Sequence, residues 1–445
     1  MRPIVALYLV LVLAIAACAG QQSTSLPAHG GMLSAKLHVG TSPIQHIILI
    51  VQENRTPDYM FQSPQLIAEG ADISKKALNS KDQVVTLHPV SLKAAYDLPH
   101  GHPNFLVDYD GGKMDGFDNG SPNYPNKPFG YAPASEVQPY WDMATQYVFA
   151  DRMFQTNQSG SFPAHQFIVS GSAAALPITK YNDLDSPFNE NDGEHDEAGC
   201  DAGPESMVHT INPHDGTLGP TSPPCFERPV LSDLLDQKGI TWHYYQQNLG
   251  TGWWHAMDAI KHVRYGPDYA NVIAPPQTIL SDITTGNLPG FSWVIPDEMH
   301  SDHAASKSAS GPSWVAAIVN TLGKSSYWNS TAILITWDDW GGWYDHVLPP
   351  RLSKYYQLCF RVPLVIISPY AKKASVSHIQ HEFGSLLAFA EVTFGIPKGS
   401  LGTTDERADD LMDAFNFRAS PRPFVHISAP PYSPPAASVS GGNDP

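Results

Sequence analysis

Basic residues are scarce in this chain: 26 Lys and Arg stand against 43 Asp and Glu, a formal charge of −17. No basic run relieves that deficit. This excludes the cationic patch by which a protein binds nucleic acid or lies on an anionic lipid surface. An anionic substrate must instead be captured locally, by a metal ion or by a few focused cations. Cysteines number four and none has C-x-x-C spacing, which excludes a cysteine zinc site. Gly-x-Ser-x-Gly is absent, which argues against an esterase-type serine hydrolase. A sulfatase is disfavoured as well, because no Cys-x-Pro-x-Arg or Ser-x-Pro-x-Arg segment is present. Repeats at solenoid periods are also missing. What remains is a chain of 445 residues with 11% aromatics, long enough and apolar enough to bury a substantial core. Its 40 prolines and 34 glycines point to many ordered loops.

The first residues read as a targeting device. Arg2 precedes an apolar stretch from Ile4 to Ala17 that is too short for a stable membrane span. It ends Ala16-Ala17-Cys18-Ala19, a small-residue cleavage site with Cys at the first mature position. That pattern resembles a bacterial lipoprotein signal; the alternative is an ordinary secretory leader whose apolar region contains a cysteine. The expected division is a signal peptide over 1–17, a polar tether over 18–43, a catalytic domain over 44–418 and a Pro-rich extended tail over 419–445 with no core to bury. The expected location is outside the cytoplasm: periplasm, cell envelope or medium. Membrane contact would come through a lipid on Cys18. Cys200 and Cys225 can close a loop in an oxidising compartment, with Cys359 left over.

Short, continuously apolar runs break abruptly into polar residues. Ile44–Val51 is followed by Gln52-Glu53-Asn54-Arg55, and Ile240–Tyr245 carries His243. Phe291–Ile295 leads to Asp297 and His300, Thr331–Trp337 leads to Asp338-Asp339, and Val362–Ser368 stops at Pro369. Such β-branched runs are buried strands covered on both faces. Helical patterns such as Ser313–Leu322 and Phe383–Val392 lie between them. The alternation predicts a three-layer α/β/α sandwich with a mainly parallel sheet and long loop insertions. Ligands in that architecture bind beyond the carboxyl ends of the strands, where these polar residues fall. Asn182–Glu205 reads as an acidic surface excursion.

In Asp338-Asp339-Trp340-Gly341-Gly342-Trp343, two carboxylates at a strand end precede a tight turn. Adjacent like charges in apolar surroundings call for a cation between them, and hard oxygen donors suit Ca²⁺, Mg²⁺ or Mn²⁺ and tolerate Zn²⁺. A solvated turn or a helix cap is the blander reading. Glu53-Asn54 supplies two further oxygen donors, although a helix start would use the same residues.

Ile44–Arg55, ending Gln-Glu-Asn-Arg, resembles the opening motif of the bacterial phosphoesterase family, which includes nonspecific phospholipases C and acid phosphatases. Thr336–Pro350, Arg361–Tyr370 and His378–Glu391 resemble its later motifs. Asp97–His100 with Gly112–Phe117 resembles an upstream block. The resemblance implies an alkaline-phosphatase-like core and one divalent metal ion held by Glu53, Asn54, Asp338 and Asp339, with Ser161 Oγ as a further ligand. It implies Ser161 as nucleophile, aligned on Asp151 and Pro163, with Ser159 the nearest competitor. Ala164-His165 stands where many phospholipase members have Asn-Arg, a departure towards the acid-phosphatase branch. His100, His243 and His303 are expected around the scissile phosphate, with His102 an alternative to His100. His300, an alternative to His303, and His346 are candidates for substrate contact, with orientation of the double-aspartate turn as the alternative role for His346. The implied activity is hydrolysis of a phosphate ester through a phosphoserine, on a small molecule or a phospholipid. Acid phosphatase is the first reading. Phospholipase C is the second, and a catalytically silent binding lipoprotein is the third.

Overall fold

The computed structural model describes residues 42–175, 188–190, 198–211, 217–352 and 357–434. The expected leader, Cys18 and almost all of the tether lie outside these residues, as do most of Asn182–Glu205 and residues 435–445. Among the described residues no helix is long and apolar enough to cross a membrane.

The five apolar runs are all strands of one eight-stranded sheet. Its members are β1 (His46–Gln52), β2 (Val148–Ala150), β3 (Trp242–Tyr245), β4 (Val272–Ile273), β5 (Phe291–Val294), β6 (Thr331–Trp337), β7 (Leu364–Ile367) and β8 (Ser375–Ser377). They run in the order β4-β3-β5-β1-β6-β7-β2-β8. β1 lies at the centre, with Ile48 registered against Ser292 on one side and Ile333 on the other, both in parallel. Only β7 is reversed, antiparallel to β6 and β2. The sheet is therefore mainly parallel, as expected. One strand end was misjudged, however: the reversal sends Ser368-Pro369 to the far edge and brings Arg361, before β7, to the edge that carries the other strands' carboxyl ends.

Ile47 to Gln52 and all of β6 are buried, which requires cover on both faces of the sheet. Helices supply it in two groups. α2 (Ala134–Gln146) and α4 (Thr278–Thr285) each pack on α5 (Gly311–Gly323), while α3 (Ser161–Ser170) packs on α6 (Phe383–Thr393). All ten residues of α3 are buried, so loops cover its outer side as well. A further helix, α1 (His102–Tyr109), lies in the insertion between β1 and β2. Cys200 and Cys225 are disulfide-bonded 25 residues apart, and Cys359 is free and buried. Closing a loop of that length stabilises the fold by about 3.5 kcal/mol in the chain-entropy account.

The tail does not behave as expected. Residues 419–434 form an extended strap, but one packed on the core. Ile427 is fully buried, its N–H and C=O bracketed by the Asn320 side chain at 2.9 Å each. Trp328 Nε1 donates to Arg422 O, and Tyr432 lies against Trp314. Proline density marked the segment as non-helical. It concealed that Phe424, Ile427 and Tyr432 carry apolar area into gaps between the outer helices.

One buried acid gives the fold a pH dependence. Burial first, and the facing Asp405 carboxyl second, push the Glu391 carboxyl up to about 8. A carboxyl whose pKa rises on folding takes up a proton on folding, so this contribution falls as pH climbs from about 4.5 to about 8. Glu391→Gln should flatten that decline. Urea midpoints at pH 5 and pH 8 should converge relative to wild type, and an unchanged difference would remove Glu391 as its source.

Candidate active site

β1 and β6 end side by side, and each delivers its polar pair to the same point. Glu53, Asn54, Asp338 and Asp339 are all fully buried. Asn54 adopts a left-handed backbone conformation (φ 56°), and its N–H donates to Asp338 Oδ1 at 2.9 Å. Gly341 N–H donates to Asp339 Oδ1 at 2.7 Å. The turn after the aspartates needs its glycines. Gly341 and Gly342 have φ of 61° and 69°. A Cβ at Gly341 would lie 2.4 Å from Asn54 O, and one at Gly342 would lie 2.6 Å from Leu98 Cβ. That close approach packs the turn against both the β1 end and the segment leading to His100.

Ser161 is the first residue of α3, and its hydroxyl faces the carboxylates. Oγ is 3.2 Å from Asp339 Oδ2 and 3.3 Å from Glu53 Oε2. The preceding turn is fixed by Asn157 Nδ2, which donates to Ser159 O and Gly160 O. Ser159 Oγ is buried and makes no hydrogen bond, so it shares none of Ser161's contacts. The amino end of α3 adds a positive backbone potential at the same place.

One residue that sequence reasoning passed over belongs here. His165, one turn after Ser161 and fully buried, sets Nε2 3.0 Å from Glu53 Oε1 and 3.8 Å from Asp338 Oδ2. Its signal was the four-residue spacing from Ser161, which places both side chains on one helix face.

The expected histidines divide. His100 is at the site: Asn54 Nδ2 donates to its Nε2 at 2.9 Å, while its Nδ1 donates to Leu98 O at 2.6 Å. That pairing makes it a neutral imidazole that orients Asn54. His102 Nδ1 instead donates to Gln158 O. His303 flanks the site with Nε2 4.0 Å from Asp97 Oδ2, and the same carboxylate oxygen is 4.0 Å from His100 Nδ1.

Three placements are corrected. His243 shares a strand face with Tyr245, contacting its hydroxyl at 3.0 Å and Asp282 at 3.6 Å. Tyr244, on the other face, reaches Trp254, which packs on His303. Strand alternation therefore turns His243 away. His300 is held by Asp297 at 2.7 Å and by Ser433 O of the strap at 3.1 Å, so both its ring nitrogens are engaged within the protein. Its role is support: His300 O accepts from Gln52 Nε2, and Ser301 O accepts from Glu53 N–H. His346 sits between Asp58 at 2.7 Å and Asp72 at 2.9 Å, beside Arg361. Burial lowers its pKa, but Asp58 and Asp345 outweigh burial and raise it to about 9. This imidazolium ties the turn after β6 to Asp58 and Asp72 in the insertion that follows β1.

The donor set fits a divalent cation. Three buried carboxylates converge beside the imidazoles of His100 and His165, the buried Arg55 guanidinium is turned to Asn54 O at 2.7 Å, and Asp338 Oδ2 and Asn54 Oδ1 accept no hydrogen bond. Glu53, His165 and Asp338 each bring a donor atom within 4.8 Å of the others'. Uncompensated, such a group would be costly to bury.

A family model described as the Phosphoesterase family matches residues 44–397. The chain is 22% identical to a non-hemolytic phospholipase C of Pseudomonas aeruginosa over 89% of its own length and 60% of that protein's. It is 25% identical to non-specific phospholipase C1 of Arabidopsis thaliana over 87% of its own length and 74% of that protein's. A solved structure of an alkaline phosphatase superfamily protein from Vibrio parahaemolyticus aligns with a TM-score of 0.39 at 11% identity, over 84% of this chain and 71% of that one.

Proposed function

The chain belongs to the Phosphoesterase family, and from that premise we propose that it hydrolyses phosphate monoesters through a phosphoserine on Ser161, in an alkaline-phosphatase-like arrangement. The observation that carries the reading is Ser161 Oγ within 3.3 Å of both Glu53 and Asp339, at the amino end of a buried helix. Glu53, Asn54, Asp338 and Asp339 would hold one divalent ion with Ser161 Oγ, and His165 stands by as a nitrogen donor. Such an ion supplies the positive charge missing among the carboxylates and favours the ionised form of a serine hydroxyl.

The hydroxyl proton leaves towards the Asp339 carboxylate. Oγ then bonds to phosphorus as the bond to the leaving oxygen breaks, and water later cleaves the Oγ–P bond to release phosphate and restore the serine. The N–H groups opening α3 face charge that develops on the phosphoryl oxygens. His303 donates to the leaving oxygen. His100 keeps Asn54 turned so that its Oδ1 faces away from the imidazole.

Ala164 and His165, in place of Asn-Arg, support the monoester reading. The names of the relatives favour a second reading, a phospholipase C-type diesterase. The leader expected over residues 1–17, with Cys18 as the first mature residue, supports export, with a lipid on Cys18 as the membrane contact. A disulfide between Cys200 and Cys225 agrees with an oxidising compartment.

The test compares p-nitrophenyl phosphate with phosphatidylcholine vesicles, before and after chelation and with metal restored. Metal-dependent release of p-nitrophenol, with no diacylglycerol formed, is the expected result. Diacylglycerol without p-nitrophenol would establish the diesterase, and neither product under any metal would overturn both readings.

A further inference from the structure

A second group of metal-type donors lies apart from the catalytic residues. His381 follows the β8 strand, pairs its backbone with Met153, and is 1% exposed. Its ring points at two aspartates in the turn that leads to the C-terminal strap. Nδ1 is 3.2 Å from Asp409 Oδ1, and Nε2 is 3.9 Å from Asp413 Oδ1.

Against the upward push of burial, Nδ1 and Asp409 Oδ1 make an ion pair that helps hold the Asp409 carboxyl below its ordinary range, although its angle is poor for a hydrogen bond. Both ring nitrogens and Asp413 Oδ1 are buried without any hydrogen-bond partner. Asp413 is held from its other oxygen, which accepts from Ser377 Oγ at 2.6 Å and leaves Oδ1 directed at the imidazole. One ring nitrogen and one oxygen from each aspartate lie within 4.8 Å of one another. A buried imidazole without hydrogen bonds is costly. A cation held by one ring nitrogen and an oxygen of each carboxylate would satisfy that nitrogen and Asp413 Oδ1 together, beside Asp409 Oδ1, which also accepts from Leu411 N–H at 2.8 Å. The 3.2 Å spacing is close to the roughly 3.3 Å that separates neighbouring ligands in a tetrahedral zinc site.

We propose that His381, Asp409 and Asp413 form a second divalent-cation site, structural rather than catalytic. One imidazole and two carboxylates suit zinc or manganese better than calcium. The ion would staple the turn Asp409–Asp413, and so the root of the strap, to the end of β8. Asp409 and Asp413 are only part-buried, with side chains 33% and 22% exposed, so an ion can enter and waters can complete its shell.

The test uses the full chain in three forms: wild type, Asp338→Asn with Asp339→Asn, and Asp409→Asn with Asp413→Asn. Each is loaded with zinc or manganese, freed of excess by gel filtration, and measured for metal content and melting temperature. The wild type should carry two ions and each double variant one. The Asp338/Asp339 variant should still gain roughly 3 °C on loading, and the gain of the Asp409/Asp413 variant, which keeps only the ion at Asp338 and Asp339, should fall short of the wild type's by about that amount. If that second variant does not fold, His381→Gln replaces it.

A folded Asp338/Asp339 variant that holds no ion and gains no stability would overturn the proposal, leaving His381 as an imidazolium between two aspartates. A wild type holding one ion, kept by the Asp338/Asp339 variant and lost from the Asp409/Asp413 variant, would support this site and overturn the metal assignment at Ser161.

Discussion

Ser161→Ala should cut hydrolysis of p-nitrophenyl phosphate by about 10³-fold or more while leaving the fold intact. The loss is expected to be large because the hydroxyl has no substitute. Ser159 is two residues away, but its Oγ makes no hydrogen bond and reaches neither Glu53 nor Asp339. The fold should tolerate the change because Ser161 does not cap α3: the cap residue is Gly160, and no side chain bonds the first turn. Alanine is also a better helix residue than serine. Rapid acid quenching with labelled substrate should leave phosphate on the wild-type chain at Ser161 and none on the variant. Wild-type rates in Ser161→Ala would remove the phosphoserine route, and label recovered on Ser159 would move the nucleophile there.

The parts of the site that were legible in sequence are those where local pattern and chemistry coincide. Ile47 to Val51 are apolar because β1 is covered on both faces, and the break at Gln52 is where the strand passes from apolar core into the buried polar site. Glu53 and Asp338 were therefore marked by position as well as by type. The glycines after Asp339 were legible too, since a side chain at either would collide with Asn54 or Leu98.

What failed was orientation and long-range partnership. The alternation within Trp242–Tyr245 did not say which face looked towards Glu53, and the structure turns Tyr244 that way instead of His243. His300 and His346 carried the right chemistry for substrate contact. Asp297, three residues before His300, is local to it, but Ser433, Asp58 and Asp72 are far away in sequence, and nothing beside either histidine announced those. The reversal of β7 was equally silent, because a strand covered on both faces has the same composition in either direction. His165 was missed for the opposite reason. Ala164-His165 marks a departure towards the acid-phosphatase branch in sequence, whereas its place on α3 makes His165 a neighbour of Glu53.

Asp338→Asn should nearly abolish activity and, in metal-free protein, raise the melting temperature. The two effects share a cause. Glu53, Asp338 and Asp339 are buried together, and without a cation their like charges repel by an amount on the order of 2 kcal/mol per close pair. Asparagine keeps Oδ1 as acceptor for the Asn54 N–H, so the contact between the β1 and β6 ends survives. It replaces Oδ2, the oxygen without a hydrogen bond, by a neutral group. Metal-free protein therefore loses repulsion and little else, whereas loaded protein loses a ligand. The order of melting temperatures should invert: variant above wild type in chelator, wild type above variant with metal restored, and turnover down about 10³-fold in the variant throughout. Melting scans with and without chelator, run beside the phosphatase assay, check all three. A metal-free variant that melts below wild type would mean that Asp338 earns its burial through bonds within the protein, and the carboxylate cluster would not be a cation site.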